Sequence, residues 1–107
     1  MSQTLNERQD QFARMVPLLI QYAHALGYTV SIGDVWSKPQ YKSHSSRSCH
    51  YLKLAIDLNL FKDGKYLSKT EDHYLLGLFW ESMGGSWGGR FERRDGNHYS
   101  LSWKGRK

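Results

Sequence analysis

His50, Asp57 and His98 are the residues on which metal chemistry could be built. Two imidazoles and one carboxylate are a sufficient set for a catalytic Zn²⁺, which takes three protein ligands and leaves its fourth tetrahedral position to water. Spacing alone leaves a plainer reading open, in which both histidines are exposed at strand ends and Asp57 is solvated or salt-bridged. Asp95 stands three residues before His98, and Asp95-Gly96 is also a common turn pair. His44 is a rival ligand in a serine-rich stretch, whereas His24 and His73 sit in helical segments and read as surface or cap positions. Cys49 neighbours His50 and on an extended chain points the other way, as a packed thiol rather than a ligand or nucleophile.

The elements that must position these groups follow from periodicity. Thr4 and Glu7 have the spacing of a capping box, and Leu5, Phe12, Met15, Val16, Leu19, Tyr22, Ala23 and Leu26 recur at helical intervals up to Gly27. Pro17 should kink or divide that helix. Residues 28–34 alternate as a half-buried strand, with Tyr28, Val30 and Ile32 on its apolar side, and the polar residues 36–48 read as a loop of the length that is often functional. In the clearest alternation, Leu52, Leu54, Ile56, Leu58 and Leu60 face the core and Lys53, Ala55, Asp57 and Asn59 face away. Asp63-Gly64 should turn the chain into a short hairpin partner at residues 65–67. Ser68 and Glu71 are spaced to cap a second helix running through Trp80 and Met83 to Gly84-Gly85. After a glycine-rich loop, whose Trp87 could line a cleft, Tyr99, Leu101 and Trp103 alternate with His98, Ser100 and Ser102. The expected fold is α+β: a small antiparallel sheet with helices packed on one face and the zinc site on the open face.

Three segments, Ser48-Cys49-His50, Ala55-Ile56-Asp57-Leu58 and Asp95-Gly96-Asn97-His98-Tyr99, together resemble the zinc D-alanyl-D-alanine carboxypeptidases and L-alanyl-D-glutamate endopeptidases, including related phage endolysins. That family's pattern is Ser-x-His-x-x-Gly-x-Ala-x-Asp-Leu followed later by acid-x-x-His, and the likeness extends over residues 28–103. The resemblance implies that His50, Asp57 and His98 hold Zn²⁺ and that Asp95 is the catalytic base. It also implies an arginine that stabilises the oxyanion, for which Arg47 is preferred and Lys38 is the alternative. Lys53 stands where the family has glycine, which implies a local change beside the site. The implied activity is hydrolysis of peptidoglycan stem peptides, at the L-alanyl-D-glutamate bond in preference to the terminal D-alanyl-D-alanine bond.

Composition bounds the remaining choices. With 107 residues the chain fits one zinc peptidase domain, residues 1–107, and a second core would leave each half too small to stabilise itself. A single cysteine excludes an intramolecular disulfide, and no apolar run reaches the ~18 residues of a membrane span. The polar N-terminal residues lack the pattern of a secretory signal, so the protein is expected in the host cytoplasm, reaching the wall after the membrane is permeabilised, and working as a monomer. A net charge of +5 suits a polyanionic partner, and the rival reading is a small basic nucleic-acid-binding module. Two acids on the proposed binding face would repel phosphate, and a steep log-salt slope for DNA binding would mark a true binder.

Overall fold

A computed structural model describes residues 3–35 and 49–107. Helix α1 spans Leu5–Ala25 and opens on the expected capping box: Thr4 Oγ1 accepts from Glu7 N–H at 3.1 Å, and Glu7 Oε1 accepts from Thr4 N–H at 2.9 Å. Its core face is Phe12, Met15, Leu19 and Ala23, spaced by three or four residues. Of the two outcomes expected of Pro17, division does not occur, and one helix runs through it. Pro17 and Ala13, whose carbonyl it frees, are both exposed, so water can take the lost hydrogen bond.

Strand β1 (Thr29–Ile32) runs antiparallel to the long strand β2 (Ala55–Lys62), pairing Thr29 with Phe61 and Ile32 with Leu58. Ile32 was expected to face the core but is 57% exposed, because β1 is the edge of the sheet and nothing described covers its end. Asp63-Gly64 makes the two-residue hairpin into β3 (Lys65–Leu67), both residues at positive φ as a primed turn demands. The residues just before β2 are not strand: Cys49–Leu52 form a 3-10 turn, so the alternation read from Leu52 begins only at Leu54.

Helix α2 (Tyr74–Ser82) is entered through a 3-10 turn at Thr70–His73. Its cap lies one residue later than the Ser68–Glu71 spacing suggested, with Asp72 Oδ2 accepting from Lys69 N–H at 3.0 Å, while Glu71 pairs with Arg94. Strands β4 (Ser86–Trp87) and β5 (His98–Ser100) complete a five-stranded sheet ordered β1-β2-β5-β4, with β3 also against β2. The α+β expectation holds. Both helices bury their apolar stripes against one face, where Trp80 meets Phe12 and Tyr99 edge-on and donates its indole N–H to Ser100 O at 2.9 Å. No helix among the described residues is long and apolar enough to cross a membrane.

Candidate metal centre

The register of β2 against β5 makes the site. Asp57 stands directly opposite His98, and since side chains on paired residues share a face, both project from the side of the sheet away from the helices. Backbone pairing fixes Asp57 further, with its N–H donating to Asp34 O at 2.8 Å and its carbonyl accepting from Gly33 N–H at 2.7 Å. The 3-10 turn at Cys49–Leu52 then swings His50 over the same carboxylate. That turn ends at Lys53, which holds a left-handed backbone at φ +58°, a conformation that favours glycine, the residue the resembled pattern has at this position.

His50 Nε2 lies 3.1 Å from Asp57 Oδ1, and His98 Nδ1 lies 3.7 Å from the same oxygen. One ligand atom from each of the three residues falls within 4.8 Å of the others. His50 Nδ1 is 3.3 Å from Val35 O, a contact that places the ring proton on Nδ1 and leaves a lone pair on Nε2 facing the carboxylate. Two acceptors that close need a proton or a cation between them. His98 adds a buried Nε2 with no hydrogen-bond partner among the described residues. The donor set therefore fits a small divalent cation, and the ring of Phe91 packs against His98 at 5.2 Å to help exclude water.

Electrostatics in the metal-free protein agree. Burial would raise the Asp57 carboxyl, but hydrogen bonds and charge from His50 and His98 outweigh it and hold the group well below the usual carboxylate range. For His50 burial opposes the protonated form, yet the hydrogen bond and charge of Asp57 prevail and raise it. The groups lie on the expected face, away from the helices, yet they are not open to solvent there: His50 and His98 are 1% and 4% exposed, with the Phe91 ring packed against His98.

Asp95 is exposed and sits in the turn before β5, where its N–H donates to Gly88 O at 2.9 Å and its carbonyl accepts from His98 N–H at 3.1 Å. Its place in the turn is thus fixed by backbone hydrogen bonds. Gly88 permits this approach, for a Cβ there would lie 2.0 Å from Asp95 O and 2.8 Å from His98 Cβ. Arg47, Lys38, His44 and Trp36 lie outside the described residues. Cys49 is a packed thiol as expected, fully buried, with burial pushing it up to about 11 and its Sγ donating to Leu101 O. Trp87 is buried, lines a shallow pocket with Arg90, Phe91 and Lys107, and donates its indole N–H to Gly96 O at 2.7 Å, so it also braces the loop that carries Asp95.

Sequence reasoning missed His73. It stands at the N-cap position of α2, as one of the two expected readings had it, but it is 3% exposed and makes no capping hydrogen bond; its Nδ1 instead lies 2.6 Å from the Tyr99 hydroxyl. The signal was present, for His73, Leu76, Gly77 and Trp80 form one buried stripe at helical spacing.

Comparison with known proteins bears on this arrangement in three ways. Among solved structures, the L-Ala D-Glu endopeptidase ChiX of Serratia marcescens is similar with a TM-score of 0.65 at 18% identity, over 85% of this chain and 77% of that one. At that identity the likeness is one of fold. Curated protein sequences give no match. The sequence profile of the D-alanyl-D-alanine carboxypeptidase family matches residues 41–101, more than half of the chain and the part holding His50, Asp57, Asp95 and His98, and the chain belongs to that peptidase family.

Proposed function

We propose that this protein is a zinc peptidase of peptidoglycan, cutting stem peptides at the L-alanyl-D-glutamate bond in preference to the terminal D-alanyl-D-alanine bond. The observation that carries the reading is the convergence of His50, Asp57 and His98 on one point, inside the segment that matches the family. The choice of bond leans on the activity named for the ChiX structure, whose fold this chain shares. Bound between these three residues, zinc would acidify a water and polarise the scissile carbonyl.

The chain's own groups have separate tasks. Asp57 and the two imidazoles hold the ion, with the Val35 carbonyl orienting His50. Asp95 takes the proton from the attacking water and passes it to the leaving amine. Arg47, with Lys38 as the alternative, steadies the oxyanion. The same proposal places the enzyme as a single-domain, monomeric phage endolysin held in the host cytoplasm until the membrane is permeabilised.

Metal analysis combined with mass spectrometry of fragments released from purified peptidoglycan tests this. About one zinc per chain is expected, with activity lost to a chelator and restored by zinc, and with new N-terminal D-glutamyl ends. Wall digestion by protein free of metal would end the zinc reading, and release of free D-alanine alone would move the cut to the terminal bond.

A further inference from the structure

The loop that carries Asp95 into β5 is soft at one point. Gly96 follows Asp95, and the position demands glycine, because a Cβ there would lie 2.5 Å from Thr70 Cα. Glycine restricts its own backbone least, so the Asp95 side of the loop can swing unless the Gly96 peptide is pinned from outside. Trp87 supplies the pin: its indole N–H donates to Gly96 O at 2.7 Å, and both residues are buried. On either side of this bond the loop backbone reaches both strands of the metal centre. Asp95 O accepts from His98 N–H at 3.1 Å, and Asn97 O accepts from the N–H of Leu58, the neighbour of Asp57, at 3.0 Å.

The indole is itself held. Gly77 of α2 and Gly89 leave a slot for it, since a Cβ at Gly77 would lie 2.2 Å from Trp87 Cδ2 and one at Gly89 would lie 2.4 Å from Trp87 Cζ2. The Arg90 guanidinium lies 5.4 Å over the ring and is tied to Glu81 of α2 by hydrogen bonds of 3.0 and 3.1 Å. Tyr74, at the start of α2, meets the ring edge-on at 6.2 Å. A flat ring set between two backbones and under a fixed cation can aim its N–H in one direction, and that direction is Gly96 O.

We infer that Trp87 is a positioning residue for the reaction: its indole N–H, aimed by α2, holds the Asp95 turn in register with His98. The inference rests on the peptidase reading, in which Asp95 is the base. A base must sit within hydrogen-bond reach of the water it deprotonates, so a small displacement costs turnover rather than substrate affinity. Without the indole N–H, Gly96 O is left buried and unpaired, and the loop gains by turning that carbonyl toward water.

Two replacements remove the N–H and keep a ring in the slot: Trp87→Phe, and benzothienylalanine at position 87, which keeps the indole shape with sulfur in place of the N–H and serves where Trp87→Phe fails to fold. In each, kcat should fall at least about tenfold, and by no more than in Asp95→Asn, while KM and zinc content stay within about twofold. In an Asp95→Asn background, Trp87→Phe should cost less than about twofold more, because both changes act through one group. Full turnover in the folded benzothienylalanine protein, a loss that follows zinc content, or a loss that multiplies with that of Asp95→Asn overturns the inference. Hydrogen exchange in metal-free protein reads the loop without activity. The Asp95 and His98 amides should exchange at least about tenfold faster in both variants, while amides of β2 opposite β1 keep their rates. No change, or equal acceleration everywhere, reduces Trp87 to a core residue. Failure of the wild type to cleave any stem peptide is instead a failure of the peptidoglycan reading, and the exchange rates then decide whether Trp87 holds the loop.

Discussion

Two aspartates 38 positions apart do different work in the proposed site, and substitution separates them. Asp57 touches both imidazoles, so Asp57→Ala removes one of three ligands and leaves two buried histidines facing each other without a counter-charge. Zinc and activity should both be lost. Asp95 is held in its turn by its own backbone, so Asp95→Asn should keep fold and zinc while kcat falls ~10²-fold or more and KM changes little. Zinc content measured beside initial rates decides, and near-normal turnover in Asp95→Asn would reduce that residue to its turn role. Lys53 offers a stability test of a different kind. A side chain at φ +58° costs ~1–2 kcal/mol that glycine avoids, offset by the greater entropy glycine loses on folding. Lys53→Gly should therefore gain about 1 kcal/mol, read as a Tm higher by several degrees. A lower Tm would mean that contacts of the lysine side chain outweigh the backbone strain.

At the scale of elements, the site depends on how closely the Gly88–Arg90 turn approaches the loop before β5. Gly88→Ala would drive a methyl into Asp95 O and His98 Cβ, so zinc affinity should drop by ~10–100-fold, the range seen when a ligand's support is disturbed. Competition with a chromophoric chelator measures it, and unchanged affinity would show that the loop can yield without moving His98. The candidate ligands were legible in the sequence because strand alternation assigns faces directly, and Asp57 and His98 fall on the polar phase of two such patterns. The register that pairs them was not, since cross-strand partners between distant segments leave no local trace. Nor was the burial of His50, which depends on a 3-10 turn where alternation suggested a continuing strand. His73 was misjudged because a polar residue at a helix entrance normally reads as a cap, and its partner Tyr99 lies 26 residues away. Pro17 leaves the helix undivided because the hydrogen bond it removes lies on an exposed face, where water can reach the freed Ala13 carbonyl.

For the molecule as a whole, acid stability and charge are the measurable quantities. His73 titrates near 6.5 when unfolded and at about 4 when buried, so between those values the unfolded chain binds a proton that the folded one refuses. Stability thus falls as pH drops from 6.5 to 4, by up to about 3 kcal/mol from this group. Folded His73→Gln should flatten that slope in metal-free protein, and an unaltered slope in denaturant titrations would assign it elsewhere. The surplus of positive charge leads to the final prediction. The basic C-terminal residues are not a loose solvated end: Trp103 and Arg106 bridge, Cys49 N–H donates to Lys107 O, and the Lys107 ammonium lies 5.9 Å over the Phe91 ring, which itself packs on His98. Cationic groups are therefore fixed beside the metal centre, where they can draw an anionic polymer toward it. That attraction acts over a Debye length of ~8 Å at physiological salt and shortens as salt rises. Digestion of intact, anionic walls should slow with ionic strength, whereas cleavage of a short uncharged peptide, which needs no long-range steering, should hardly respond. Measuring both rates across one salt series isolates the field from any effect on the chemistry. Wall rates that stay flat while peptide rates also stay flat would show that the net charge of +5 plays no part in finding the substrate.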